Sequence, residues 1–435
     1  MQQWLNSFFA IEARGSTVKT EVVAGITTFF TMAYILIVNP AILVAAGMDY
    51  GAVFSATALA TAISTGLMAW WARLPLVVSA GMGLNTLFVY YVVVNMGHSW
   101  QFALTSCFLT GLVFLIISPL NLREKVIQQM PDSLQNAITA GIGLFIASIG
   151  LKNAGIIVSE PSNLITLGVL SEPGPLLACI GLAITACFMV RKNTMALLLG
   201  IIITTVIGIF MGVTEMPSAV VSLPPSLAPT FMQFDFSEIW SFDMLAAVFT
   251  FTLIGMFNSA GTLIGYASKV GALPVEGRFP PAKRAMLCDT VGTTASACLG
   301  SSPQVIFVES IAGVTAGGRT GLTSLVVAVC FIAAMFMAPL LAMVPDAATN
   351  PALVMVGVYM ITPLAKINFN NLSEGIPAFL TIMIMPFSSS VVDGIGFGII
   401  AYVVLKLCGG REKHKDLNVL ICVLALLFLL KYWLL

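Results

Sequence analysis

The sequence predicts an all-α integral membrane protein with about fourteen transmembrane segments arranged as a seven-plus-seven inverted repeat. Three observations lead to this fold class. Hydrophobic residues make up 58% of the 435-residue chain and charged residues only 9%, which excludes a water-soluble domain with a polar exterior. Apolar runs of roughly 17 to 25 residues, long enough to cross about 30 Å of hydrocarbon, recur from residue 22 to the C-terminus. The connections between these apolar runs also alternate, one carrying basic residues and the next acidic ones.

The apolar runs divide the chain into five stretches. These are a cytoplasmic N-terminal tail (1–21), a first seven-span repeat (22–213), an extracytoplasmic loop (214–242), a second seven-span repeat (243–408), and a cytoplasmic linker with a hydrophobic C-terminal segment (409–435). The fourteen spans are expected near 22–46, 53–72, 75–95, 102–121, 132–152, 174–190, 193–213, 243–266, 283–300, 302–317, 321–343, 350–364, 375–387 and 390–408. The tail lacks a basic n-region and a cleavage site, so we expect it to be retained. Residues 417–435 either insert or lie along the inner surface.

Charge orients these spans. With the N-terminus in the cytoplasm, the predicted inner connections collect the bases, whereas the outer connections carry acids: Asp49, Glu160, Glu172, Glu215, Asp235, Glu238 and Asp346. This is the positive-inside pattern, and it predicts a multi-pass protein of the cell (inner) membrane. An odd number of spans per half makes the second half enter the membrane with the opposite sense, which is an inverted repeat.

Two matching stretches predict that the third and tenth spans are broken. "ARLPLVVSAGMGLN" (72–85) and "GSSPQVIFVESIAG" (300–313) each place a proline after a span, then a β-branched run and a glycine-containing turn. Proline stops a helix and β-branched residues favour extended backbone. Paired interrupted segments of this kind mark the central site of many transporters, although two such stretches also arise by chance in an apolar chain.

Glu309 is the leading candidate for a functional side chain. It ends the second extended run, and a helix beginning near Ser310 would direct its amides toward the same place. An ionisable group inside a membrane is functional by default, and burial favours the neutral carboxyl, as a proton carrier requires. A structural hydrogen bond to the broken backbone is the alternative.

Other polar groups form the rest of the candidate site. Asn258, beside Phe257, offers an amide suited to the edge of a heterocycle, or serves as a contact between helices. In the first broken span, Gly81 admits close approach to the backbone, and Asn85 and Phe88 follow it; Phe88 either stacks on a flat ligand or packs in the core.

Asp289 lies about one turn into the ninth predicted span, where it either belongs to a proton path or pairs with bases at the inner side. Neither histidine, His98 or His414, falls within a span, so proton coupling is expected to depend on carboxylates.

Several functions are excluded by what the sequence lacks. The eight cysteines have no metal-ligand spacing, so neither a metal site nor a disulfide framework is predicted. "AGGRTG" (316–321) lacks the strand and helix context of a phosphate-binding loop, and no other cofactor is expected. Zero net charge argues against nucleic-acid binding. An enzyme is not expected, because neither HExxH nor a paired-aspartate motif is present.

Six stretches that together span nearly the whole chain form a recognisable pattern: "RGSTVKTEVVAGITTFFTMAYILIVNP" (14–40), "SAGMGLNTLF" (79–88), "GTLIGYA" (261–267), "ESIAGVTAGGRTGLTS" (309–324), "PALVMVGVYM" (351–360) and "IPAFLTIMIMPFSSSVVDGIGFG" (376–398). In these stretches the chain resembles the nucleobase:cation symporter-2 family, in the branch of purine permeases for adenine, guanine or hypoxanthine. The resemblance implies a core domain of spans 1–4 and 8–11, a gate domain of the remaining spans, and a nucleobase held between the third, eighth and tenth spans.

By the family's pattern, Glu309 would hydrogen-bond the base, with backbone amides near Ala80 and Val308 assisting. The implied partners are a purine, protons or another cation, the bilayer, and a second copy in a homodimer. One departure stands out: where these permeases usually have an acidic residue in FDTxGTLIG, this chain has Asn258. The change leaves Glu309 as the main protonatable site. We expect it to alter which purine edge is accepted or to weaken the coupling of transport to protons.

Four alternatives remain beside proton-coupled purine uptake, the last of them a purine sensor without transport. A transporter of the same fold for an anion or another small solute is one, although an anion site would be expected to have a cation where Glu309 stands. An uncoupled purine facilitator is the second. A channel is the third, and it would need a continuous polar lining.

Overall fold

A computed structural model describes residues 2–117, 129–160, 164–214, 216, 219–269, 282–388, 390–409 and 417–434. The described part is mostly helical, which confirms the predicted fold class. In the first half, α-helices span Gln2–Phe9, Val18–Met32, Ile35–Val44, Tyr50–Leu67, Met82–Thr86, Trp100–Ile117, Asp132–Asn153, Pro173–Val190 and Ala196–Phe210. In the second half they span Phe242–Lys269, Ala282–Leu299, Ser310–Thr315, Gly321–Ala334, Ala338–Ala342, Asp346–Met360, Leu372–Ser388, Val391–Cys408 and Val419–Leu434. Two of these helices continue as π-helix, over Met68–Ala72 and Leu87–Asn95.

Eight helical segments among the described residues are long and apolar enough to cross a membrane: Val18–Val44, Tyr50–Ala72, Trp100–Ile117, Asp132–Asn153, Pro173–Val190, Gly321–Ala342, Asp346–Lys366 and Val391–Cys408. Shorter apolar helices span Met82–Asn95, Ala196–Phe210, Phe242–Met256, Leu372–Ser388 and Val419–Leu430. The chain is therefore a multi-pass membrane protein. The count of fourteen crossings and the division into two seven-span repeats stay predictions.

Local sequence explains where several helices begin. The Thr17 side chain accepts a hydrogen bond from the Thr20 amide at 3.2 Å, ahead of the helix Val18–Met32. Asp49 and Ser390 cap the helices that follow them in the same way. Such caps satisfy amides that have no partner within the helix, so these starts are encoded locally.

The chain forms two compact units. The first comprises Met1–Pro119 and Asn153–Ala352, and the second comprises Leu120–Lys152 and Leu353–Leu435. The first unit contains two small antiparallel sheets, each of two strands. One joins β2 (Ile157–Glu160) to β3 (Leu164–Leu167), in a connection where the sequence predicted no strand.

The other sheet pairs segments from the two halves of the sequence. β1 (Val78–Ala80) lies antiparallel to β4 (Gln304–Ile306), with Val78 opposite Ile306 and Ala80 opposite Gln304. We call this pair the ribbon. A short helix follows each strand, beginning at Met82 after β1 and at Ser310 after β4. All candidate site residues of the sequence analysis lie in the same unit as the ribbon.

In the second unit, the helices Leu372–Ser388 and Val391–Cys408 pack closely along their length. A Cβ at Gly394 would come within 2.8 Å of the Thr381 carbonyl oxygen, so a larger residue would push the two helices apart. A charged pair joins the same helices: Lys406 Nζ lies 3.7 Å from Glu374 Oε1 and 5.3 Å from the centre of the Tyr402 ring.

Replacing Lys406 should destabilise this unit, because its side chain is only 2% exposed and removal of one partner leaves Glu374 without its counter-charge. We expect Lys406→Ala to lower the free energy of unfolding by about 2 kcal/mol, less than for a fully buried pair because Glu374 is one-third exposed. Chemical unfolding in detergent measures this. Lys406→Met, which keeps the aliphatic stem but not the charge, should lose less, and a Lys406→Met variant as stable as the unaltered protein would contradict a role for the charge.

Candidate functional site

The centre of the candidate site is the ribbon and the turns that leave it. The Gly81 amide donates to the Pro303 carbonyl at 3.0 Å, and the Phe307 amide donates to the Val77 carbonyl at 2.9 Å. These bonds close both ends of the ribbon. A Cβ on Gly81 would lie 2.9 Å from a methyl carbon of Val305, so the two strands approach as closely as they do because this residue is glycine.

The alternation of an antiparallel pair turns the N–H and C=O groups of Val78, Ala80, Gln304 and Ile306 away from the opposite strand. Side-chain hydroxyls satisfy most of them. Val78 is bonded by Ser64 and Thr65, Gln304 by Thr293, and the Ile306 amide by Ser259. No described residue bonds the outward groups of Ala80. The ribbon therefore offers a backbone donor and acceptor at Ala80.

Glu309 stands directly before the short helix Ser310–Thr315, with helical φ and ψ of −60° and −19°. Its side chain is half-buried, and its Oε1 accepts a hydrogen bond from the Tyr34 hydroxyl at 2.8 Å. Val308, just before it, is 54% exposed at its side chain. The structure thus places a carboxyl group, held by a phenol, between the end of the second strand at Ile306 and the helix that follows.

Asn258 lies in the helix Phe242–Lys269 and is half-buried. Its neighbour Ser259 is fully buried and makes two contacts: its hydroxyl donates to Asp289 and accepts from the Ile306 amide at 3.4 Å. Asp289, 1% exposed, is therefore linked through Ser259 to the strand that precedes Glu309. The Phe257 side chain lies outside what the structure describes.

Asn85 and Phe88 are fully buried. The Ser302 hydroxyl donates to Asn85 Oδ1 at 2.5 Å, and the same oxygen of Ser302 lies 3.2 Å from Asn39 Oδ1. Asn39 in turn donates to Thr57 at 2.7 Å. Asn85 thus belongs to a buried network that joins the stretch 72–85 to the start of the stretch 300–313. A contact of Asn85 or Phe88 with a ligand stays a prediction.

Two features of the site were not predicted. Tyr34 was not singled out, although a tyrosine in the apolar stretch "TMAYILIVNP" (31–40) signals a phenol that needs a partner. The contacts of Ser259, the residue after Asn258, were not predicted either. A serine in an apolar helix usually bonds its own helix, so its sequence carried no sign of a contact with Asp289.

Together these groups suit a ligand that forms hydrogen bonds. A carboxyl, a side-chain amide and a free backbone edge supply both donors and acceptors. Within the described ranges, no three His, Cys, Asp or Glu side chains converge as metal ligands.

Similar proteins of known structure identify the class of fold. The transmembrane domain of the cyanobacterial bicarbonate transporter BicA superposes with a TM-score of 0.65 at 15% identity, covering 87% of this chain and 97% of that one. The murine anion transporter Slc26a9, in its inward-facing state, gives a TM-score of 0.65 at 11% identity, covering 94% of this chain and 73% of that one. The fold is therefore one that membrane transporters use.

Sequence comparison identifies the family. Residues 19–397 match the Permease family. Adenine permease AdeQ of Escherichia coli K12 is 41% identical over 427 residues, covering 98% of this chain and 96% of AdeQ. Guanine/hypoxanthine permease PbuO of Bacillus subtilis 168 is 39% identical over 434 residues, covering 98% of this chain and all of PbuO. The chain belongs to this permease family, the nucleobase:cation symporter-2 family, which confirms the resemblance, and it is a transport protein rather than an enzyme.

Proposed function

We propose that this protein takes up a purine nucleobase across the membrane, with Glu309 as the central substrate residue. The observation that carries the proposal is the Glu309 carboxyl, held by Tyr34 at 2.8 Å, at the end of a ribbon that leaves Ala80 free to bond. The names of the relatives AdeQ and PbuO, which are adenine and guanine/hypoxanthine permeases, supply the substrate class.

The chemistry of a purine matches these groups. A purine edge presents ring nitrogens and an amino or keto group, so it needs donors and acceptors in one plane. Glu309 would bond one part of this edge, while the backbone at Ala80 and near Val308 would bond another, and Gly81 would let the base approach that backbone closely. Asn258 would contact the exocyclic group, because its amide both donates and accepts. Phe88, Asn85 and Phe257 complete the proposed binding residues.

Proton co-entry would drive uptake. Glu309 would carry the proton, since purine binding and protonation at one carboxyl reinforce each other. Asp289 would assist through Ser259, which touches both Asp289 and the Ile306 amide. In this proposal the protein lies in the inner membrane with a cytoplasmic N-terminus, and spans 1–4 and 8–11 carry the base past the other spans.

Uptake of radiolabelled adenine, guanine, hypoxanthine and uracil into proteoliposomes tests the proposal. We expect accumulation of at least one purine, dependent on an acid-outside gradient, and little uptake of uracil. Equilibration without accumulation would replace symport by facilitated diffusion, an alternative that Asn258 favours because it removes a charge. Absence of purine uptake, with uptake of an anion such as bicarbonate, would favour the alternative suggested by the fold neighbours.

Asn258→Asp tests the placement of this residue at the ligand. It restores the acidic residue usual in the family. We expect it to change the Michaelis constant for the preferred purine at least about threefold, because one charged hydrogen bond contributes about 1.5–3 kcal/mol. We also expect uptake to depend more steeply on the proton gradient. Asn370→Asp, at an exposed position, is the matched control. If Asn258→Asp leaves both substrate ranking and gradient dependence unchanged, Asn258 does not face the ligand.

A further inference from the structure

We propose that Tyr34 is a positioning residue that fixes the Glu309 carboxyl so that Oε2, and not Oε1, is presented to the purine. The inference rests on the proposed function and adds a determinant of substrate choice to it. It begins from a contact between groups 275 positions apart in the sequence, the 2.8 Å hydrogen bond from Tyr34 Oη to Glu309 Oε1.

Tyr34 is held rigidly enough to act as a guide. It lies at the junction of two helices, after Val18–Met32 and before Ile35–Val44. Its carbonyl accepts from the Ile37 amide at 3.1 Å and from the Val38 amide at 2.9 Å, so its backbone is tied into the first turn of the second helix. The side chain is fully buried, which leaves the ring no room to change rotamer. The hydroxyl is therefore delivered to one fixed point.

Glu309 needs such a guide because its own surroundings leave the carboxyl adjustable. The side chain is half-buried, and its terminal torsion is intrinsically broad. It does not cap the helix that follows it. A donor on Oε1 removes this freedom: it sets the plane of the carboxyl group and engages one of its two oxygens.

The choice of oxygen has a chemical consequence. A phenol that donates to Oε1 lowers the basicity of that oxygen, so protonation of the carboxyl is favoured on Oε2. The ligand then meets an acceptor when Glu309 is ionised and an O–H donor when it is protonated. Adenine presents a bare ring nitrogen beside its amino group, whereas hypoxanthine and guanine present a ring N–H beside a keto oxygen. Fixing Oε2 toward the ligand would therefore sharpen discrimination between these two kinds of edge.

Tyr34→Phe isolates the hydroxyl, because the buried ring and its packing are retained. In proteoliposomes we expect the Michaelis constant of the preferred purine to rise about tenfold, the loss of one hydrogen bond to a charged group. We expect the maximal rate to change less than twofold, and the preference between adenine and hypoxanthine to shrink. Tyr402→Phe, a buried tyrosine in the other compact unit, is the control and should leave all three values unchanged.

A double-mutant comparison separates positioning from packing. If Tyr34 acts through Glu309, then Tyr34→Phe should weaken purine binding less than about twofold further in a Glu309→Ala background, which removes the oxygen that Tyr34 bonds, because coupled residues are not additive. Binding is measured by purine-dependent thermal stabilisation of the purified protein. An equal loss in both backgrounds would show that Tyr34 serves only the packing of the helix junction.

Two other results would also overturn the inference. A large drop in the melting temperature of Tyr34→Phe without purine would make the hydroxyl a structural one. Unchanged Michaelis constants and unchanged preference would mean that Glu309 is oriented by other groups. If the unaltered protein transports no purine at all, the proposed function itself fails, and that failure is seen before any variant is compared.

Discussion

Glu309→Ala is expected to reduce purine uptake at least about 100-fold, the loss of 3 kcal/mol or more that follows when a central charged hydrogen-bonding group is removed. The variant takes away the carboxyl that Tyr34 holds, and with it the proposed proton carrier. Glu309→Gln keeps the size and an acceptor but cannot take up a proton. We expect it to keep purine binding, since the neutral amide resembles the protonated carboxyl, and to lose the dependence of uptake on the proton gradient, because an amide cannot take up a proton.

Uptake and binding should be measured on the same purified preparations, so that a loss of transport is separated from a loss of protein. Glu172→Gln is the matched control, because Glu172 is exposed and its side chain forms no cap on the helix that follows. If both Glu309 variants still bind purine and their uptake still depends on the proton gradient, Glu309 is not part of the site. Asp289 then becomes the candidate proton carrier.

Glu21→Ala is expected to produce the largest loss of stability. Glu21 is fully buried, and its carboxylate accepts hydrogen bonds from the Arg319 amide at 2.9 Å, the Thr320 amide at 3.2 Å and the Thr323 hydroxyl at 2.6 Å. These donors precede or begin the helix Gly321–Ala334, where a negative charge is also favoured by the helix dipole. Removing the carboxylate leaves buried donors unsatisfied, so we expect the free energy of unfolding to fall by about 3 kcal/mol.

Chemical unfolding in detergent measures this loss. Glu21→Gln keeps one acceptor oxygen and should lose about half as much. Lys19→Ala, at an exposed position in the first turn of the same helix, is the control and should change stability little. A loss below about 1 kcal/mol for Glu21→Ala would mean that other groups satisfy these amides.

Features set by neighbouring residues could be predicted from the sequence. The extended stretches after Pro75 and Pro303 were expected because proline stops a helix and valine and isoleucine favour strands. The structure has strands at Val78–Ala80 and Gln304–Ile306, and a helix that begins at Ser310. Each of these depends on a few consecutive residues, and each was found from them.

Contacts between distant segments could not be predicted in this way. Nothing near Tyr34 in the sequence indicates Glu309, and nothing near Glu21 indicates the amides of Arg319 and Thr320. The hydrogen-bond partners of serine and threonine side chains are equally hard to predict from the sequence. Thr28 bonds the carbonyl of Ala24 in its own helix, whereas Ser259 bonds another helix and a strand. Both are small hydroxyl residues in apolar stretches, and only the three-dimensional packing distinguishes them.

The ribbon cannot form until both of its strands have been synthesised. The amide of Val77, beside β1, bonds the hydroxyl of Ser310, which lies 233 positions later in the chain. At about 5–20 residues per second, a ribosome reaches that position on the order of ten seconds or more after it has made the first strand. During this interval β1 is already at the membrane without its partner strand, and exposed backbone is costly in hydrocarbon. The first half of the nascent protein must therefore wait in a sheltered or hydrated state, and the second half completes it.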